Sequence, residues 1–250
     1  MIEQEIELKT AEGVLDTFIV RPDEGGPHPA IIIYMDAPGI RQELRDMASR
    51  LATAGYVVAL PNLYYRIGTE GNYGYALDQI RTDDAQLKRM HDCRMSLSNA
   101  GVVADTSHLL KALAAHPGVA PGPIGCVGYC MSGSFVVAVA AEFGKQIAAI
   151  ASFYGVGIIT DAPDSPHLRA GEVSAQTYLA FASDDPWVPA TVLEELPGII
   201  EKTAWPARIE IYPDTGHGFA FPQRTEFNRT AGERHWERIF SLMKKNLVGS

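Results

Sequence analysis

The chain has 250 residues, 46% of them hydrophobic, with 21 Lys and Arg against 30 Asp and Glu and a formal net charge of -9. That length and apolar content suit one large domain with a well-buried core, and the acidic balance makes it a poor partner for nucleic acid or an anionic membrane, both of which carry negative charge. Three cysteines make no disulfide framework, Met1-Ile2-Glu3-Gln4-Glu5 lacks the basic and apolar regions of a signal peptide, and no apolar run approaches the length needed to cross a bilayer; a reduced, cytoplasmic protein is expected.

In chain order, 6–9 and 14–21 read as two strands of an edge hairpin, and 30–35 as a buried strand. Residues 41–54 carry Leu44, Met47, Ala48 and Leu51 at helical spacing and stop at Gly55. A buried strand follows at 56–60, then a Gly- and Tyr-rich stretch, 61–84, expected to be a long loop or a lid. Helices are expected at 85–95 and 102–115, a strand at 124–129, a helix from Met131 onward, and strands at 147–153 and 177–182. A helix at 190–202, a strand at 208–212 and an amphipathic helix at 233–247 complete the chain. Repeated strand–helix units imply an α/β protein with a mostly parallel central sheet and helices on both faces. No linker or internal repeat interrupts it, so one domain over 1–250 is expected.

The stretch Ile124-Gly125-Cys126-Val127-Gly128-Tyr129-Cys130-Met131-Ser132-Gly133-Ser134 is the most informative. An apolar strand runs into a helix with almost no loop, and a thiol stands at the tip. Such a strained turn is the nucleophile elbow of an α/β-hydrolase fold, and a helix N-terminus favours thiolate over thiol. A nucleophile needs a base and a group to orient that base. Asp185, just past the strand 177–182, and His217, flanked by Gly216 and Gly218 past the strand ending at Tyr212, follow Cys130 in the order nucleophile, acid, histidine. Both sit beyond strand carboxyl ends, where parallel sheets place ligands. Trp187 beside Asp185, and Phe219 and Phe221 beside His217, are the candidates to contact substrate. The cluster Tyr64, Tyr65, Tyr73 and Tyr75 could line a pocket or pack a lid. No His-x-x-x-His or Cys-x-x-Cys spacing occurs, so no metal is expected.

The elbow, Tyr154-Gly155-Val156-Gly157, the segment from Asp185 to Pro189 and Gly216-His217-Gly218-Phe219 together resemble the dienelactone hydrolase (carboxymethylenebutenolidase) family over nearly the whole chain. The resemblance implies an ester or lactone hydrolase with Cys130 as nucleophile, Asp185 as acid and His217 as base, working through a thioester without a cofactor. It further implies that Asp36 stands where the family places a thiol-associated glutamate, and that the N–H groups of Ala37 and Met131 form the oxyanion hole. Ser132 occupies the glycine position that ends the family's elbow pattern. The family's substrate-binding arginine four residues beyond the histidine falls on Phe221, with Arg224 nearby. For a second such arginine the alternatives are Arg81, Arg89 and Arg94, of which Arg89 and Arg94 are carried as substrate-binding candidates. A small-molecule ester or lactone is the expected partner, and a monomer or small homo-oligomer the expected state. A thioesterase or peptidase on the same scaffold, or a non-catalytic ligand-binding member, is the alternative.

Overall fold

The structure, a computed structural model, describes residues 1–248; of the domain expected over 1–250, residues 249 and 250 lie outside the described residues. The chain divides into two compact units, Met1–Pro121 and Gly122–Ser250.

In the first unit, β1 (Ile2–Thr10) and β2 (Gly13–Arg21) form the expected hairpin, antiparallel from the Ile2–Arg21 pair to the Thr10–Gly13 pair. β2 pairs antiparallel with β4 (Val57–Pro61), which pairs parallel with β3 (Ala30–Tyr34). Every residue of β3 and β4 is buried, the pattern of strands covered on both faces. α1 (Gln42–Thr53) turns Leu44, Met47, Ala48 and Leu51 inward and packs on β2 and β4. The chain then turns at Gly55, whose φ of 95° favours a residue without Cβ. α2 (Asp84–Met95) is capped by the Asp83 carboxylate and α3 (Asn99–Ala115) by the Ser98 hydroxyl. The stretch 61–84 contains one short 3-10 turn, Leu77–Gln79. Its tyrosines at 64, 73 and 75 are buried.

In the second unit, β5 (Ile124–Tyr129), β6 (Ile147–Phe153), β7 (Gln176–Asp184) and β8 (Ala207–Gly216) are parallel neighbours in that order. α4 (Ser132–Phe143) packs on β5 and β6, while α6 (Arg229–Leu247) packs on β5, β6 and β7; α5 (Ala190–Thr203) joins β7 to β8. Two glycines of β5 show why both helices fit. A Cβ at Gly125 would meet Met243 Sδ of α6 at 2.4 Å, and one at Gly128 would meet the Ser132 carbonyl oxygen of α4 at 2.2 Å. Residues three apart on a strand face opposite sides, so β5 lies between the two helices at van der Waals distance. Because the four strands are parallel, the residues following β5, β7 and β8 emerge on the same side. Those residues include Cys130, Asp185 and His217.

Candidate active site

The chain enters the site through a strained residue. Cys130 follows β5 with φ 55°, a left-handed conformation that costs an L-residue bearing a Cβ roughly 1–3 kcal/mol. Its backbone is tied on both sides to hold that conformation. The Cys130 N–H donates to the Phe153 carbonyl at 3.1 Å, and its own carbonyl accepts from the Gly133 N–H at 3.0 Å and the Val156 N–H at 2.9 Å. α4 starts two residues on, at Ser132, so Cys130 and the Met131 N–H lie at the positive end of that helix. The thiol is partly exposed, whereas Cys93 and Cys126 are buried.

Ser132, the departure from the family's elbow glycine, is fully buried and fits. The close approach falls one residue later: a Cβ at Gly133 would stand 2.3 Å from Gly155 Cα. Gly128→Ala or Gly133→Ala is therefore expected to destabilise the protein by about 3 kcal/mol, the upper part of the usual overpacking range. A urea midpoint shift at unchanged slope is the check, and a midpoint equal to wild type would contradict it.

His217 lies in the turn after β8. Its Nδ1 is 2.8 Å from Asp185 Oδ2, with side-chain exposures of 9% and 3%. The other carboxylate oxygen of Asp185 accepts the Trp187 N–H at 2.9 Å, which fixes the carboxylate plane. With Nδ1 committed to Asp185, Nε2 is the ring nitrogen left for the Cys130 side chain, with which the imidazole interacts. Burial pulls the imidazole pKa down, but the hydrogen bonds and charges of Asp185 and Cys130 outweigh it and push it up to about 9. The protonated ring is thus the native form at neutral pH. A His pKa raised above its unfolded value of about 6.5 contributes stability that is full below that pH and is lost as pH rises through about 9. The difference corresponds to about 3 kcal/mol. Urea unfolding of the wild type and of His217→Gln at pH 6 and pH 10 should show their stability gap narrowing at the higher pH; a gap independent of pH would contradict this reading of the ring's charge.

A sequence model of the Dienelactone hydrolase family matches residues 15–247. The chain belongs to the dienelactone hydrolase family. It is 26% identical over 233 residues to "Putative carboxymethylenebutenolidase" of Synechocystis sp., covering 92% of this chain and 91% of that protein. Among solved structures it resembles "Putative Dienelactone Hydrolase" from Klebsiella pneumoniae, with a TM-score of 0.84, 22% identity and 98% of each chain covered. It also resembles the dienelactone hydrolase from Anabaena variabilis, with a TM-score of 0.68, 17% identity and 98% of each chain covered. The fold is that of the α/β-hydrolases, and the protein is a hydrolase of the class that acts on ester and lactone bonds.

The remaining sequence candidates of this dienelactone hydrolase family member fall in different places. Trp187 is 52% exposed, its ring centred 6.4 Å from that of His217. Phe219 and Phe221, expected at the substrate, have no exposed surface. Phe219 stacks on Tyr212 at 4.6 Å and meets the edge of Tyr154 at 5.2 Å, and Phe221 packs on Tyr129 at 5.1 Å. They brace the His217 turn from within the core, where Ala220 between them is buried as well. The Arg224 guanidinium lies over the Phe221 ring at 5.3 Å.

In the first unit, Asp36 is fully buried. Arg41 donates to its Oδ1 at 2.6 Å and its Oδ2 at 3.3 Å, and to Glu43 Oε2 at 2.7 Å. The carbonyls around Ala37 are held as well. Ala37 O accepts from Tyr64 OH and Pro38 O from Tyr75 OH, each at 2.9 Å, and Asp36 O accepts from the Gly39 N–H at 2.9 Å. Two of the tyrosines thus pack and tether a turn. Arg89 is exposed and Arg94 partly so, both on α2. Sequence reasoning assigned no role to Tyr154, which proves to touch His217; its position in the Tyr154-Gly155-Val156-Gly157 strand end was the available signal.

Proposed function

We propose that this protein hydrolyses a carboxylic ester or lactone through a thioester on Cys130, with His217 as acid and base and Asp185 as the group that orients and charges it. The observation that carries the reading is the hydrogen bond between Asp185 and His217 Nδ1, with the imidazole in turn interacting with the side chain of a cysteine held at φ 55° beside a helix N-terminus. A cation beside a cysteine sulfur favours the thiolate as the attacking form.

The thiolate adds to the carbonyl carbon, and the resulting oxyanion is drawn to the N-terminus of α4, where the Met131 N–H lies. Collapse breaks the bond to the leaving oxygen, which takes the proton from His217 Nε2. A lactone leaves that alcohol tethered to the acyl group. Neutral His217 then removes a proton from water as the water attacks the thioester, and the second collapse returns thiolate and a carboxylic acid. Asp185 supports the imidazolium each time it forms. General acid–base assistance of this kind is worth about 10²–10⁴-fold. Trp187, exposed beside the imidazole, is the side chain placed to contact the acyl or alcohol part of the substrate.

Rapid mixing with an activated aryl ester tests the order of steps. The expected trace is a burst of phenol approaching one equivalent per protein, followed by a slower steady state, with lactones and esters turned over faster than peptides. A lag-free trace without a burst, in which added hydroxylamine traps no acyl group, would argue against acyl-enzyme accumulation.

A further inference from the structure

Cys130 is not the one strained residue at this end of the second unit. Tyr154, the first residue after β6, has φ 40° and no exposed surface. A bulky aromatic residue in that region is a backbone outlier, and such outliers persist only where the surroundings over-determine them. Here the backbone is pinned: the Tyr154 N–H donates to the Ala180 carbonyl of β7 at 2.7 Å. The flanking residues are tied to the nucleophile, since Phe153 O accepts the Cys130 N–H and the Val156 N–H donates to Cys130 O. Gly155 supports the start of α4 through its contact with Gly133.

The strained backbone sends the Tyr154 ring toward the base. It meets the His217 imidazole at 5.0 Å between centroids and 63° between planes, the edge-to-face arrangement. Its other ring contacts include Phe219 at 5.2 Å, Tyr129 at 6.1 Å and Phe221 at 6.2 Å. Asp185 and Cys130 each hold one nitrogen of His217, which leaves the ring free to tip about the line between them. A buried aromatic wall removes that freedom.

We propose that Tyr154 is a positioning residue: its ring, aimed by a left-handed backbone at the end of β6, backs the His217 imidazole and fixes its plane between Asp185 and Cys130. The proposal rests on the Cys130–His217–Asp185 reading. Tyr154 has no exposed surface, so its effect passes through His217 and not through substrate contact. The ring carries the effect, and the phenol oxygen is dispensable.

The test compares Tyr154→Phe and Tyr154→Leu with the wild type in aryl ester hydrolysis, with the His217 titration followed by imidazole NMR. Tyr154→Phe should keep kcat within about twofold, as expected where the ring is what packs. Tyr154→Leu should lower kcat by about 10–100-fold at little-changed KM, the effect of a misplaced base. In that variant the His217 midpoint should fall from about 9 toward the ordinary 6.5, because a tipping ring weakens both hydrogen bonds that hold it up. Should Tyr154→Leu melt below the assay temperature, Tyr154→Met replaces it, with a similar volume on a more adaptable chain and still no ring.

Wild-type kcat and titration in the ringless variant, a change confined to KM, or equal damage in Tyr154→Phe would each overturn the proposal. Cys130→Ala and His217→Ala in the same assay separate this from the underlying reading. If those two retain turnover, the triad itself is misassigned; if they are inactive while the ringless variant is normal, the positioning role alone fails.

Discussion

Cys130→Ala is expected to lower turnover of an activated aryl ester by about 10⁴-fold or more, the usual consequence of deleting a nucleophile from a set that acts as a unit. The fold should survive. Alanine carries the same Cβ as cysteine, so the cost of φ 55° at this position is unchanged, and the backbone bonds to Phe153, Gly133 and Val156 remain. What disappears is the sulfur and its hydrogen bond to His217. The imidazole then keeps only Asp185 against burial, so its pKa should fall below about 9 in the variant. Steady-state kinetics together with a thermal melt check both parts. Retained turnover, or loss of activity accompanied by loss of the cooperative melt, would contradict the assignment.

The second large effect is expected at Asp185→Asn, about 10³–10⁴-fold in kcat by analogy with triads in which the acid is replaced by its amide. The geometry gives a specific reason. Asp185 Oδ1 accepts the Trp187 N–H and Oδ2 faces His217 Nδ1. An asparagine must give its one carbonyl oxygen to Trp187, because the amide nitrogen cannot accept. Its NH2 then faces Nδ1, which must become the acceptor, and the proton moves to Nε2, the atom that should face Cys130 unprotonated when water is to be activated. The variant also loses the charge that helps hold His217 up, so the ring should be neutral at pH 7 in the wrong tautomer. The pH dependence of kcat/KM and nitrogen shifts of the labelled imidazole would report this. Turnover within about tenfold of wild type and an unchanged tautomer would contradict the role given to Asp185.

The strand–turn–helix at Cys130 was legible because its determinants are local: an apolar strand, a Gly-Tyr-Cys tip and an immediate helix leave few geometries. Asp185 and His217 were legible because parallel topology sends the ends of β7 and β8 to the end of β5. Contacts made across the fold were not. Tyr154 reads as an ordinary strand-end aromatic until its φ and its distance to His217 are seen. Phe219 and Phe221 advertise apolarity, and sequence alone does not say which side of a turn faces the core. Asp36 was read by its chain position, and the hydrogen bonds that its carboxylate accepts from Arg41 became visible only in the structure.

Boundaries slipped for similar reasons. β8 was expected to end near Tyr212, where the alternation stops at Pro213, yet pairing resumes after a register shift to place Gly216 beside Asp184. That added length delivers His217 to Asp185. α6 begins at Arg229, ahead of its apolar stripe, because the Asn228 side chain accepts the Ala231 N–H and caps it.

The central claim is a covalent acyl group on one sulfur. Acid quenching of the wild-type protein during turnover of a slowly deacylating aryl ester, followed by proteolysis and mass spectrometry, reads it directly. The account predicts the acyl mass on the peptide bearing Cys130, labile to hydroxylamine and absent from Cys130→Ala. An acyl group on Ser132 or Ser134, or steady turnover with Cys130 unmodified at every quench time, would contradict it.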